Sequence, residues 1–351
     1  MTQAGRRASF APISGLCRRR QTLLHHRVPL ADTSALENFT LAVDPASPPL
    51  GLEGAVVAIG NFDGVHRGHV AVIKRAEALA ARLCRPCAVL TFEPHPSDFF
   101  GGANTIFRLT PLAAKAKALE RLGIDGMIVF TFDAALAGLP AEEFVAEILV
   151  RRLKVRAAVA GYDFHFGAKR SGSPAFLKEA GARHGFEVAI VDCISAEAAD
   201  GIGAASSTAT RAALEAGDVE QAKKLLGRPF SIMGEVIHGQ KLGRTLGFPT
   251  ANLLPDPSCR LRHGIYAVQV AIGDKILDGV ASYGRRPTFD NGPALLEPYI
   301  FDFSGDLYGE TIEVRFIGWI RGEVKFASVD ALTAQIKLDA ARAREILATA
   351  T

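Results

Sequence analysis

The sequence predicts an α/β protein in two parts: a doubly wound parallel sheet, then a small antiparallel β-barrel with a terminal helix. Three observations predict it. From Ala55 to Cys193, short apolar runs alternate with helical patterns, the signature of parallel strands joined by crossover helices. After Gly227-Arg228-Pro229, short β-like stretches follow one another without helices between them, which reads as a small barrel or sandwich. At 351 residues, the chain is long enough for about two domains.

In the first part, Ala55-Val56-Val57-Ala58-Ile59 is an apolar run that ends at Gly60, as a buried strand would. A helix follows from about His69 to Leu83, with Ile73, Ala76, Ala80 and Leu83 on one face. Strands are expected at 88–92, 127–132, 157–160 and 187–193. Helices are expected after Pro111, over 141–153 and around 176–184. In the second part, strands are expected at 231–238, 266–272, 280–283, 296–303 and 311–320, and a final helix over 329–347. The boundary falls near 226–228, giving units of 50–226 and 228–351.

Composition excludes several classes. Hydrophobic residues make up 48% and charged residues 22%, as in ordinary globular domains. Lys+Arg 40 against Asp+Glu 37 leaves +3, too little to argue a nucleic-acid or membrane partner. No apolar run approaches the roughly 18 residues of a membrane-spanning helix. Five scattered cysteines (Cys17, Cys84, Cys87, Cys193, Cys259) fit a reducing cytoplasm. Residues 1–36 form a basic extension with six arginines and no acid before Asp32. They read as a disordered tail or an upstream start, with a transit peptide as the alternative.

The first chemical signal is Gly60-Asn61-Phe62-Asp63-Gly64-Val65-His66-Arg67-Gly68-His69, between a strand and a helix. Ligands of open parallel sheets sit at the carboxyl ends of strands, where a helix N-terminus favours phosphate. Gly60, Gly64 and Gly68 let backbone N–H groups approach an anion. His66 and His69 can both aim at one phosphate group, and Asn61 and Asp63 offer weaker help with phosphate or Mg²⁺. Ser206-Ser207-Thr208 opens a further helix, and Arg211 offers a planar fork to phosphate.

The second signal is Gly243-Arg244 and Gly247-Phe248-Pro249-Thr250-Ala251-Asn252. A glycine-rich strand–loop–strand can fold over phosphates, and Thr250 and Asn252 carry oxygens two residues apart that suit Mg²⁺. Glu297 stands in the otherwise apolar stretch Leu295 to Phe303. Pro298 after it forces extended geometry and removes a backbone donor, so this strand should be an edge or bulged one.

These stretches resemble the bacterial bifunctional riboflavin kinase/FMN adenylyltransferase family. His66-Arg67-Gly68-His69 is similar to the nucleotidylyltransferase His-x-Gly-His signature. Thr91-Phe92-Glu93-Pro94-His95-Pro96, Gly161 to Gly167 and Ser206 to Arg211 resemble further segments of its adenylyltransferase half, while Pro249-Thr250-Ala251-Asn252 and Arg285 to Phe289 resemble its kinase half. The resemblance implies a nucleotidylyltransferase-like fold for the first unit. It implies riboflavin, FMN and ATP as substrates, Mg²⁺ with ATP, Glu297 as general base, and flavin contacts at Asp163, Phe164, Phe166 and Arg286. It implies no nucleic-acid or membrane partner and no obligate protein partner. Pro298, Tyr299 and Ser282 depart from the family pattern. An adenylyltransferase with an impaired kinase half, or a non-catalytic flavin-binding regulator, are the alternative readings.

Overall fold

The computed structural model describes residues 39–192, 205–239, 243, 246–285 and 293–350. Its first part is a six-stranded parallel sheet of β1 (Thr40–Val43), β2 (Val56–Ile59), β3 (Cys87–Glu93), β4 (Gly126–Thr131), β5 (Ala157–Gly161) and β6 (Glu187–Val191). The spatial order is β1-β4-β3-β2-β5-β6. All four residues of β2 are buried, because helices cover both faces of the sheet. One core cluster holds Val57, Leu90 and Ala158, and the other holds Val56, Val89 and Val159 on the opposite face. The chain moves outward from β2 on one side and returns to its other side at β5, so the topological switch lies beside β2.

Helix α1 (Arg67–Leu83) begins where the His66 side chain caps it and ends at Cys84 in a left-handed conformation. Ile73, Ala76 and Ala80 are buried as their spacing requires. The other helices are α2 (Pro96–Gly101), α3 (Leu112–Glu120), α4 (Ala134–Gly138), α5 (Ala141–Glu143) and α6 (Pro174–His184). The helix expected over 141–153 takes π-helical form from Phe144 to Arg152. Strand β1 escapes the sequence pattern because it is a four-residue edge, with Leu41 and Val43 half-exposed.

The second part is a curled five-stranded antiparallel sheet of β7 (Ser231–Glu235), β8 (Gly264–Ile272), β9 (Lys275–Gly284), β10 (Leu295–Ile300) and β11 (Thr311–Arg321), in the order β10-β9-β8-β11-β7. β10 is an edge strand, as Pro298 requires. Leu296 exchanges backbone hydrogen bonds with Leu253, and two residues on the Pro298 carbonyl accepts from Ala251. The missing proline donor therefore faces away from the β9 ladder. On its far side the 250–253 segment reaches the end of β7 through Ile237 N–H, which donates to the Asn252 carbonyl. The Pro-Thr-Ala-Asn segment thus closes the barrel.

Helices α7 (Ser207–Ala216) and α8 (Val219–Leu226) pack on this barrel. Leu214, Val219 and Leu226 share one core with Phe107, Leu109, Phe230, Tyr266 and Phe316. The last helix, α9 (Val329–Thr349), covers the outer barrel face through Ala343 and Leu347. Asp339 on α9 is buried and takes a bidentate pair from Arg321, with contacts of 2.9 and 2.6 Å. Breaking a buried pair leaves one uncompensated charge. We expect Asp339→Ala to lower stability by about 3 kcal/mol in urea unfolding; a loss below about 1 kcal/mol, the range of an exposed pair, would mean that this pair does not tie α9 to the barrel.

Candidate active sites

A cleft of about 980 Å³ opens at the carboxyl ends of β2, β3, β5 and β6. Into it project the 60–69 segment, the start of α7 and an aromatic wall that includes Phe92, Phe100, Phe132 and Phe164. The 60–66 loop is strained: Phe62 and Val65 have φ of 48° and 42°, and Gly64 has φ of 86°.

What holds that loop is visible in its carbonyls. Asn61 O accepts from Thr91 Oγ1 (3.0 Å) and Lys115 Nζ (2.9 Å). Phe62 O accepts from Val65 N, and His66 O from Val70 N. Asp63 O accepts from Ser207 Oγ at 2.8 Å. Gly64 O and Val65 O accept from the Arg228 guanidinium at 2.9 and 3.0 Å. Each carbonyl from Asn61 to His66 therefore has a protein donor, and their negative ends are occupied by the protein.

His66 and His69 lie ring on ring, with centroids 3.6 Å apart and planes at 20°. His66 Nδ1 accepts from His69 N–H at 3.3 Å, so the neutral tautomer that fits carries its proton on Nε2. Burial pulls the His66 imidazole down to about 4. Burial, reinforced by the neighbouring His66, also pulls His69 well below the usual histidine range. Both are neutral donors at pH 7. His69 Nδ1 is buried without a partner among the described residues, an orphan that a phosphate oxygen would satisfy. Gly68 has a steric reason: a Cβ there would stand 3.1 Å from the His66 ring and 3.2 Å from the Ala205 carbonyl. Its absence lets the N-termini of α1 and α7 approach one another, and helix N-termini favour anions.

Asp63 and Arg211 are brought together with the histidines. The Asp63 carboxylate is 1% exposed and accepts from Leu109 N, Thr110 N and Arg211 Nη2, the last at 2.6 Å. Arg211 Nε donates to the Phe107 carbonyl at 2.7 Å. Asp63 thus spends its oxygens on the protein and fixes the arginine that lines the cleft. Ser206 caps α7, and Thr208 is exposed at its start. Asp163 is exposed, and Phe164 stacks on Phe166 at 5.3 Å. Phe166 itself is buried in the core.

Sequence reasoning passed over the support behind the loop. Lys115 is fully buried and pairs with Glu93 at 2.8 Å, and Glu93 also accepts from Arg108. Burial lowers the Lys115 amine, and Glu93 opposes that. A lysine on the apolar stripe between Leu112 and Leu119 was the available signal. His95, in the Thr91 to Pro96 segment, is buried, lines the cleft and is pulled down to about 4 by burial.

At the barrel, Glu297 and Tyr299 project from the face opposite Leu296 and Ile300, which belong to the barrel core. Glu297 pairs across the ladder with Ser282. Tyr299 bridges to Thr250 and meets the Phe248 ring edge-on at 5.4 Å. Asn252 is buried, and Gly239 makes room for it: a Cβ there would fall 2.6 Å from its amide. The Gly243 position likewise lies against the Phe248 carbonyl, while Gly247 turns with φ of 82° before Pro249. The structure so brings the Phe248 to Asn252 segment alongside the part of β10 that carries Glu297. Arg244 and Arg286 lie outside the described residues. Among the described residues no group of three or more His, Cys, Asp or Glu could hold a metal. The hydroxyl and amide oxygens of Thr250 and Asn252 suit a hard cation whose shell is completed by phosphate and water.

Two phosphate-suited sites on separate sheets define a nucleotide-handling enzyme with two centres. A family model described as FAD synthetase matches residues 50–207, and one described as riboflavin kinase matches residues 226–347. A bifunctional riboflavin kinase/FMN adenylyltransferase from Haemophilus influenzae is 43% identical over 84% of this chain and 94% of its own. The protein of that description from Escherichia coli is 41% identical over 84% and 93%. A crystal structure described as a macrolide-efflux protein from Streptococcus pneumoniae superposes with TM-score 0.73 at 34% identity, over 85% of this chain and 97% of its own. Among the described residues no helix is long and apolar enough to cross a membrane. The chain belongs to the bifunctional riboflavin kinase/FMN adenylyltransferase family.

The neutral histidines carry a stability consequence. Between pH 6.5 and about 4 the unfolded chain binds a proton at His66 that the folded chain refuses. Stability therefore rises with pH across that window and is lost as pH falls, by an amount on the order of 3 kcal/mol for this residue. Asparagine keeps a helix cap without titrating. We expect urea midpoints of His66→Asn to fall less steeply below pH 6.5 than those of the parent; parallel profiles would contradict the buried neutral imidazole.

Proposed function

We propose that this chain phosphorylates riboflavin to FMN at the barrel and adenylylates FMN to FAD at the parallel sheet, each step using Mg²⁺ with ATP. The reading assigns the kinase to residues 228–351 and the adenylyltransferase to 50–226, with a cytoplasmic location and the 1–36 extension outside both. The observation that carries it is the neutral His66/His69 pair at the switch-point cleft, in a chain that also bears Glu297 beside the Thr250-Asn252 closure.

In the kinase step the ribityl 5′-hydroxyl attacks the γ-phosphorus of ATP, and ADP leaves. Glu297 takes the hydroxyl proton, a contribution of roughly 100- to 10,000-fold. Thr250 and Asn252 would hold Mg²⁺, which supplies charge neutralisation on the phosphates. Gly243, Arg244, Gly247, Phe248 and Pro249 cover the nucleotide, and Arg286 contacts flavin. In the transfer step an FMN phosphate oxygen attacks the α-phosphorus of ATP and pyrophosphate leaves. No protein nucleophile is needed; catalysis is positioning and charge stabilisation. His66 and His69 donate to phosphate oxygens from a buried, neutral state. Gly60, Asn61, Phe62, Gly64 and Gly68 shape the cradle. Ser206, Ser207 and Thr208 offer the α7 terminus, and Arg211, held by Asp63, pairs with the departing phosphates. Asp163, Phe164 and Phe166 form the flavin side, where Phe100 and Phe132 add ring faces.

Pro298 supports an active kinase, because its missing donor falls outside the β9 ladder that aligns Glu297 with Ser282. With riboflavin, ATP and Mg²⁺, chromatography should resolve both FMN and FAD; neither product would end this reading. Glu297→Gln should cut FMN formation by at least about 100-fold while FAD formation from supplied FMN persists. His66→Ala should do the reverse. Loss of both activities from either change, in folded protein, would overturn the assignment of the two sites.

A further inference from the structure

Among the groups that hold the 61–66 loop, one comes from the other half of the chain. Arg228 follows Gly227, which ends α8 in a left-handed turn with φ of 76°. It lies beyond the segment matched as FAD synthetase and inside the one matched as riboflavin kinase. Its Nη2 donates to the Gly64 carbonyl at 2.9 Å and its Nη1 to the Val65 carbonyl at 3.0 Å. These two residues sit at φ of 86° and 42° immediately before His66. Leu226 meets the same loop, since a Cβ on Gly64 would stand 3.4 Å from it.

A planar guanidinium spans two successive carbonyls with a rigid fork; an ammonium is a point donor and spans them less well. Left-handed backbone at a non-glycine residue is costly and persists only where its surroundings impose it. The Gly64 amide is held from the opposite side by Thr110 Oγ1 at 2.8 Å. Release of the two carbonyls would let the peptide planes before His66 rotate. That would move the imidazole stack, which has to meet the phosphates within a fraction of an ångström to accelerate transfer.

We infer that Arg228, a residue of the kinase-side segment, is a positioning residue for adenylyl transfer: its fork fixes the Gly64 and Val65 carbonyls and thereby aims His66 and His69. Arg228 touches no reacting atom in this account and acts through the loop alone. The inference rests on the adenylyl-transfer reading above. It adds a dependence of one centre on a residue that belongs to the other half of the chain.

The test uses the full chain with Arg228→Met, which keeps length and loses the fork, and Arg228→Lys, which keeps charge. FMN and ATP are supplied for adenylylation, and riboflavin and ATP for the kinase, in the same preparations. We expect Arg228→Met to lose 10- to 100-fold in adenylylation kcat, with KM for FMN and for ATP within threefold and kinase kcat within twofold. Arg228→Lys should recover part of that loss. Arg228→Ala should regain adenylylation with millimolar guanidinium, which a merely destabilised protein would not. An adenylylation kcat within threefold of the parent would overturn the inference. So would a kinase loss in step with the transfer loss, or no recovery with either lysine or guanidinium. If the parent itself makes no FAD from FMN, the adenylyl-transfer reading fails instead, which separates the two failures.

Discussion

The protein depends most on a constraint in six residues: the backbone from Asn61 to His66 turns left-handed at Phe62, Gly64 and Val65 and is held there by its own carbonyls. Lys115 and Thr91 take the first of them, Ser207 the third, and Arg228 the fourth and fifth. Charged donors make the stronger of these bonds. With the carbonyls engaged by the protein, the two imidazole rings and Arg211 line the cleft together with Arg67, His95, Lys169 and Arg170. That set of neutral and cationic donors suits polyphosphate. Because both rings are buried and neutral, they need no proton uptake to act as donors.

The loop also joins the halves of the chain. Asp63 reaches forward to Thr110 and Arg211, and Arg228 reaches back from the end of α8. Beside these bonds, Arg121 on the first unit makes a two-pronged pair with Glu313 on β11, at 2.9 and 2.7 Å. Burial pushes the Glu313 carboxyl up, but hydrogen bonds from Arg121, Arg315 and Ser231 outweigh it and hold it at about 2. The carboxylate stays charged across the working pH range. The shared core of Phe107, Leu109, Leu214 and Phe230 adds apolar contact to the same junction.

Much of this was legible in the sequence. The β2 strand, α1 and the paired histidines announce themselves locally: an apolar run, a glycine-rich turn and a helical stripe follow one another without a break. Pro298 pointed to an edge or bulged position, and β10 stands at the end of the five-stranded order. What escaped depends on distance along the chain. Lys115 lies 54 residues from Asn61 and Arg228 lies 164 from Gly64, so no local pattern links them. Asp63 reads as a phosphate or metal group until Thr110 and Arg211 arrive to claim its oxygens. Strand β1 is too short and too exposed to leave a periodic signal. The closure of the barrel by residues 250–253 was hidden because those residues read first as a phosphate loop.

The central claim is that one chain directs two flavin nucleophiles onto two different phosphorus atoms of ATP in two places. Labelled nucleotide tests it most directly. With riboflavin as acceptor, ATP labelled at the γ-phosphorus should pass its label into FMN. With FMN as acceptor, ATP labelled at the α-phosphorus should pass its label into FAD, while γ-label leaves in pyrophosphate. Label that reaches flavin from only one of the two positions would contradict the account.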